Sequence, residues 1–348
     1  MATVQAKMAT FFLRKLKSRA FKLMDNHTVF RAEKEKIFSR VPCPKSVKVK
    51  YFNIEGVEAA RFIPRKSKYA HKIVLYLHGG GYTSGSIKSH AGLIGKIASE
   101  TGIPHIAINY RLAPEHTYPA ALNDAIKAYL WLIEKEHFNP KDIILMGDSA
   151  GGGLTLSTLL KIKKMGLENP LAAVVISPWT DLTVSGDSAL SNPEKDPILD
   201  VAKAREWGQW YAGNTPLEHP FVSPLFGDLS DLPPILIQVG TEEILLSDAV
   251  RFAAFAAMKD SDVTLMIEDG MSHVWHFFWQ YIPEAKTAIQ NIAQYLDKKI
   301  TQQEPINEWQ MMRTESSNSI GRRTATVAKL SYEAFKLGKN VLRKKISN

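Results

Sequence analysis

Met146-Gly147-Asp148-Ser149-Ala150-Gly151-Gly152 sets a serine between two glycines directly after the apolar run Ile143-Ile144-Leu145. That order fits a nucleophile elbow, a sharp strand-to-helix turn that presents a serine hydroxyl for attack on an acyl carbonyl. The turn strains the serine backbone, and a side chain at Gly147 or Gly151 would collide with the neighbouring strand or helix. Taken alone, the same residues also fit an ordinary turn capping a helix. A second cluster, His78-Gly79-Gly80-Gly81-Tyr82, follows the apolar run Ile73–Leu77 well upstream of the serine. Attack on a carbonyl creates an oxyanion, and backbone N–H groups that glycine leaves open to a ligand are suited to hold it. Gly79, Gly80 and the N–H of Ala150 are therefore the expected donors. A phosphate cradle is disfavoured, because no Lys-Ser/Thr follows the glycines and no G-x-G-x-x-G spacing opens a helix there.

A serine hydroxyl is a poor nucleophile near neutral pH and needs a histidine base with an acid to orient it, in the chain order Ser, Asp/Glu, His. His273 lies in Asp269-Gly270-Met271-Ser272-His273, on a loop after the strand-like Val263–Ile267. His276 fits a neighbouring loop position, where a structural hydrogen bond is the commoner role. The stretch from Val239 to Asp248 offers Glu242, Glu243 and Asp248 as acids. A glutamate there also suits the start of a helix, where its charge favours the dipole. The residues themselves leave this choice open.

These loops require strands to hold them. Val49–Ile54 and Val57–Ile63 read as an early hairpin, followed by strands at Ile73–Leu77, Pro104–Asn109, Ile143–Met146, Ala172–Ile176, Ile235–Val239 and Val263–Ile267. Their continuous apolar character fits a parallel sheet covered on both faces. Helical stretches at Tyr118–Glu136, Gly151–Gly166, Asp248–Lys259 and Ile282–Ile300 supply the crossovers that parallel pairing requires. A chain of 348 residues with 45% hydrophobic content can bury one large core.

Three motifs then occur in one order: His78-Gly-Gly-Gly81, Tyr110-Arg-Leu-Ala-Pro-Glu115 with Tyr118-Pro-Ala-Ala121, and Gly147-Asp-Ser-Ala-Gly-Gly152. Through them the chain resembles the bacterial hormone-sensitive-lipase-like esterases of the α/β-hydrolase fold, over about residues 40 to 298. The resemblance implies a mostly parallel central sheet flanked by helices, with residues 1–48 and 180–225 forming a helical cap over a catalytic body of 49–179 and 226–300. It implies a serine carboxylesterase that acts on small-molecule acyl esters through an acyl-enzyme and needs no metal or organic cofactor. It selects His273 as base and Glu243 as acid, a position where the family usually carries aspartate. Asp148, Glu115, His78 and Gly81 then read as scaffold. Asp148 would bond backbone or a neighbouring loop, Glu115 would tie the loop after Arg111 to the site through a charged pair, and His78 would shape the oxyanion loop. Trp207, Trp210, Tyr211 and Phe221 in the second cap segment fit either the wall of an acyl pocket or the packing of cap on body. The rivals are an amidase or deacetylase on the same fold and a ligand receptor with a dead site.

Charge is concentrated at the ends. Residues 1–50 hold thirteen Lys/Arg against three Asp/Glu, residues 301–348 hold nine against four, and the chain totals +9, so the body between them is acidic. Nucleic acid is disfavoured, since the basic residues flank a hydrolase instead of mapping onto a binding fold. Phe11, Phe12, Leu16 and Leu23 interleave with Arg14, Lys15, Lys17, Arg19 and Lys22. Val327, Leu330, Phe335, Val341 and Leu342 interleave with Lys329, Lys336, Lys339 and Arg343-Lys344-Lys345. Such basic amphipathic segments either lie on an anionic membrane surface or pack on the protein, the second including a partner chain such as another copy in a homodimer. No secretion signal or bilayer-spanning run is evident. A single cysteine, Cys43, excludes an internal disulfide, agrees with a cytoplasmic setting and reads as a small buried hydrophobe. No His/Cys/carboxylate spacing argues for a metal site.

Overall fold

The apolar runs fold as neighbours in one sheet. A computed structural model describes residues 2–21 and 27–303. Its strands are β1 (Val47–Ile54), β2 (Val57–Pro64), β3 (Ile73–Leu77), β4 (His105–Ile108), β5 (Ile143–Asp148), β6 (Ala172–Ile176), β7 (Ile235–Gly240) and β8 (Val263–Glu268), in the spatial order β1-β2-β4-β3-β5-β6-β7-β8. β1 and β2 form the early hairpin, turning at Glu55 and Gly56, both at positive φ as a tight two-residue hairpin turn requires. β2 also runs antiparallel to β4, and every pairing from β4 through β8 is parallel.

The helices are α1 (Val4–Phe21), α2 (His27–Phe38), α3 (Ile87–Thr101), α4 (Ala120–Glu134), α5 (Ala150–Lys164), α6 (Ser188–Ser191), α7 (Val201–Ala212), α8 (Leu246–Ala257) and α9 (Pro283–Gln303). Side chains alternate across a strand, so Leu75, Leu145, Val175 and Ile237 meet α4, α5 and α8 on one face. Val74, Ile144, Met146, Val174 and Leu236 meet α3 and α9 on the other. Burying each such side chain fully is worth about 1.5–3 kcal/mol over leaving it exposed. The result is a rigid platform whose carboxyl strand ends all point to one side.

Helix α3 lies outside the helical stretches read from the sequence. Its Ser and Gly content lowers intrinsic propensity, and tertiary packing overrides that. Ser86 and Ser89 form a reciprocal capping box, and Gly102 ends the helix in the left-handed region. Gly92 and Gly95 face the chain that leads into β1, where a Cβ would lie 2.4 Å from Val41 Cγ1 and 2.4 Å from Cys43 Sγ. Cys43 is thus packed on a helix but only half-buried, not fully buried as its residue type suggested.

Described residues of α1 and α2 and of the stretch 180–225 line one cavity together with Ser149 and His273, which follow strands β5 and β8. Ala6 of α1 packs with Met271, Trp275, Ile282 and Ala285, and Thr3 donates through N and Oγ to Glu284. Phe30 of α2 stacks on Trp207 of α7 at 5.6 Å. The amphipathic reading of 304–348, and of Lys22 and Leu23, falls outside the described residues.

Candidate active site

β5 ends at Asp148, and the chain turns at Ser149 with φ 55° and ψ −123° before entering α5. A non-glycine residue held there costs on the order of 1–3 kcal/mol and persists only if its surroundings fix it. They do: Ser149 N–H donates to Ile176 O at 2.8 Å, and its carbonyl accepts from Trp179 N–H at 3.0 Å. The glycine requirement is steric, since a Cβ on Gly151 would lie 2.1 Å from Leu77 O and one on Gly147 would lie 2.3 Å from Gly151 O.

The loop after β8 brings His273 Nε2 to 2.8 Å from Ser149 Oγ. The loop after β7 brings Glu243 Oε2 to 2.8 Å from His273 Nδ1. Glu243 is fully buried. Its second oxygen accepts from Ser177 Oγ–H and from its own loop's Gly240 N–H, both at 2.7 Å. Curling back on Gly240 absorbs the extra methylene that separates glutamate from aspartate. Ser177, at the end of β6, was not foreseen. Its hydroxyl donates to Glu243 and accepts from Val274 N–H at 3.2 Å, joining acid and base loops. Its place at a carboxyl strand end was the only available signal.

The other acids and the second histidine are engaged elsewhere. Glu242 pairs with Arg14 of α1 at 2.8 Å. Asp248 accepts the N–H groups of Thr180 and Asp181, each at 2.9 Å, and lies 3.5 Å from Arg251. Burial, then the Asp181 charge, pushes its carboxyl up to about 7. Asp248 fixes the loop after β6. Asp248→Asn is accordingly expected to keep kcat within about tenfold of wild type, because an amide oxygen can still accept both N–H groups. Steady-state kinetics on a soluble ester checks this, and a thousandfold loss would return Asp248 to the catalytic acids. His276 bonds Gln238 Oε1 at 2.8 Å, and burial lowers its pKa to about 3, so it stays neutral.

The glycine loop corrects one expectation. Gly79 N–H is already occupied: it donates to Asp148 Oδ1 at 3.1 Å and lies 3.2 Å from His90 Nε2. Gly80 and Gly81, at φ 127° and 65°, instead line the cavity beside Ser149. Gly81 must be glycine for a second reason, because a Cβ would meet Trp207 Cε3 at 2.6 Å. Asp148 also accepts from Tyr76 O–H at 2.7 Å, anchoring this loop to β3. His78 stacks on Tyr110 at 4.3 Å, and its Nδ1 lies 2.9 Å from Gly79 O. Burial lowers His78 to about 3, so Nδ1–H donates from a neutral ring.

Glu115, on the loop after Arg111, forms its charged pair with Arg31 of α2. Arg111 pairs with Asp124, and Glu115 accepts two hydrogen bonds from Arg31 of α2, at 2.7 and 2.6 Å. That guanidinium holds the Glu115 carboxyl down at about 2. Arg31 also donates to Ala113 O and Thr83 O, so one side chain clamps α2 to two loops around the site.

A cavity of about 220 Å³ opens over Ser149. Its walls are mainly apolar, with Phe30, Phe38, Trp179, Leu199, Trp207 and Phe277 among them, and Lys17 and Lys34 bring charge. Of the four aromatics singled out in the second segment, Trp207 lines the cavity. Tyr211 instead stacks on Tyr82 at 3.7 Å within the core.

Residues 74–277 match the family Abhydrolase_3, described by its alpha/beta hydrolase fold. The chain is 39% identical to an acetyl-hydrolase of Streptomyces hygroscopicus over 232 residues, covering 67% of this chain and 77% of that protein. It is 34% identical to an esterase of Acinetobacter venetianus over 255 residues, covering 73% and 83%. Among solved structures, an esterase from the bacterial hormone-sensitive lipase family superposes with a TM-score of 0.81 at 33% identity, over 86% of this chain and 99% of that one. With the sheet order, the elbow and the glycine loop in place, the chain belongs to the α/β hydrolases of the Abhydrolase_3 family, in the group of bacterial hormone-sensitive-lipase-like esterases.

Proposed function

We propose that in this carboxylic ester hydrolase Ser149 is the nucleophile, His273 the general base and Glu243 the residue that orients and electrostatically supports it. The observation that carries the reading is the unbroken chain Ser149 Oγ, His273, Glu243 with 2.8 Å at both junctions. Ser149 attacks the acyl carbonyl as Nε2 takes its proton, and the Nδ1–H bond to the Glu243 carboxylate stabilises the imidazolium that forms. The oxyanion is held by the N–H groups of Gly80, Gly81 and Ala150, the last at the start of α5. Collapse of the tetrahedral adduct returns the proton to the departing alkoxide and leaves an acyl-enzyme. Water, deprotonated by the same histidine, then releases the acid.

Residues 1–48 and 180–225 act as a cap, since both contribute to the cavity wall. The modest, mainly apolar cavity favours short- to medium-chain acyl groups. The test is turnover of a p-nitrophenyl ester series from acetate to palmitate, with a maximum expected at short to medium chains. Failure on every ester, or amide turnover exceeding ester turnover, would overturn the reading.

We also propose peripheral contact with anionic lipid through α1. Val4, Met8, Phe11 and Phe12 repeat at helical spacing and are 54–71% exposed, beside Lys7, Arg14 and Lys15 on the same helix. Among the described residues no helix is long and apolar enough to cross a membrane, so the contact would lie in the interface plane. The full chain is expected to co-sediment with phosphatidylglycerol-containing vesicles more than with phosphatidylcholine alone, and replacing Phe11 and Phe12 by serine should abolish the difference. Equal, weak sedimentation of wild type with both vesicle types would end the proposal.

A further inference from the structure

Helix α2 turns Phe30, Lys34, Ile37 and Phe38 into the cavity wall, positions i, i+4, i+7 and i+8 of a single helical face. Three are apolar, as a face over an acyl pocket should be, and the fourth is a lysine. Lys34 Nζ donates to Ser84 Oγ at 3.1 Å and sits 5.2 Å from the Phe30 ring centroid. Among the described residues no carboxylate forms an ion pair with it. The negative charge that acts on it, Asp148, is held by Tyr76 O–H, Gly79 N–H and His90. The other lysine of the wall, Lys17, gives its ammonium to backbone oxygens of Pro193 and Asp196.

An ammonium carries three donors, and a charge withdrawn from water into apolar walls costs free energy unless an opposite charge meets it. Burial lowers Lys34 to about 8, with Asp148 acting against the shift, so the group keeps its proton at neutral pH. Such a cation beside a substrate cavity is matched by an anion that the substrate brings. Resting on the reading of Ser149 as nucleophile, we infer that the cavity selects esters that carry a carboxylate, bound by Lys34 Nζ while the ester carbonyl lies against Ser149. The carboxylate can belong to the acyl part, as in a monoester of a dicarboxylic acid, or to the alcohol part, as in an O-acyl hydroxy acid. Either presents an ionised acceptor for a charge-assisted hydrogen bond inside a low-dielectric pocket.

The experiment compares kcat/KM for matched pairs: ethyl butyrate with monoethyl succinate for the acyl side, and methyl acetate with O-acetyl glycolate for the alcohol side. Wild type, Lys34→Met and Lys34→Arg are assayed on all four. Lys34→Met is expected to lower the anionic-to-neutral ratio of one pair by about tenfold, the size of one hydrogen bond to a charged group, and Lys34→Arg to restore most of it. The pair that responds identifies the side that carries the carboxylate. Unchanged ratios in both pairs, or equal loss on neutral and anionic esters, overturn the inference while leaving the triad reading intact. A wild type that turns over no ester overturns both.

Discussion

Ser149→Ala is expected to lower kcat on a soluble p-nitrophenyl ester by about a million-fold, the scale seen when a triad serine is removed elsewhere. Alanine keeps the Cβ, so the elbow at φ 55° and the bonds to Ile176 and Trp179 are preserved. On the proposed reading, what is lost is the atom that would form the acyl-enzyme. The variant should fold with a Tm close to wild type and show no burst of product in single-turnover assays. Residual hydrolysis above about one thousandth of wild type would place the nucleophile elsewhere, because the oxyanion donors and binding alone leave only about 10³–10⁴ over water.

Glu243→Gln should cost about 10⁴ in kcat with little change in KM. The Glu243 oxygen that accepts from Ser177 and Gly240 fixes the side-chain orientation. An amide in the same pose aims its NH₂ at His273 Nδ1, which must then become an acceptor. The proton moves to Nε2, and Nε2–H facing Ser149 cannot take up the hydroxyl proton. This wrong-tautomer effect is about 10⁴ in a serine protease with the equivalent change. Glu243→Asp separates charge from reach: the carboxylate survives but is one methylene short, and a misplacement of about 1 Å costs about a hundredfold. Equal losses for Gln and Asp would mean that Glu243 acts through packing instead of through the imidazole.

Much of this site is legible in the chain because its parts are local. Ser149 sits in its motif, and His273 follows an apolar run that becomes β8, so both are placed without long-range information. The strands were read to within a few residues, since fully buried parallel strands leave continuous apolar runs. What failed was non-local. Which N–H of a glycine run faces the substrate depends on where Asp148 ends up, and that carboxylate takes Gly79 and leaves Gly80 and Gly81 on the cavity wall. The partner of Glu115 could not be named from the chain, because Arg31 lies 84 positions earlier. The roles of Glu242, Glu243 and Asp248 cannot be separated by residue type. Each is set by a partner on a different element: Arg14 on α1, His273 after β8, and the Thr180–Asp181 backbone after β6. Helix α3 was hidden because its serines and glycines serve capping and close approach, which a propensity scale counts against a helix.

The Arg31 clamp has a consequence for how the molecule loses activity. Arg31 grips Thr83, two residues past Gly81, together with Ala113 and Glu115, whereas Ser149, His273 and Glu243 hang from β5, β8 and β7. On the proposed reading, fraying of α2 is expected to remove one anchor of the glycine loop, which Asp148 still holds through Gly79, before it reaches the residues proposed to relay the proton. The groups proposed for catalysis are thus held by separate parts of the fold, the glycine loop in part by a helix that precedes the sheet and the Ser149, His273 and Glu243 loops by the strand ends. Heat or mild denaturant is therefore expected to loosen the glycine loop ahead of the Ser149, His273 and Glu243 chain, read as activity falling before the global unfolding signal.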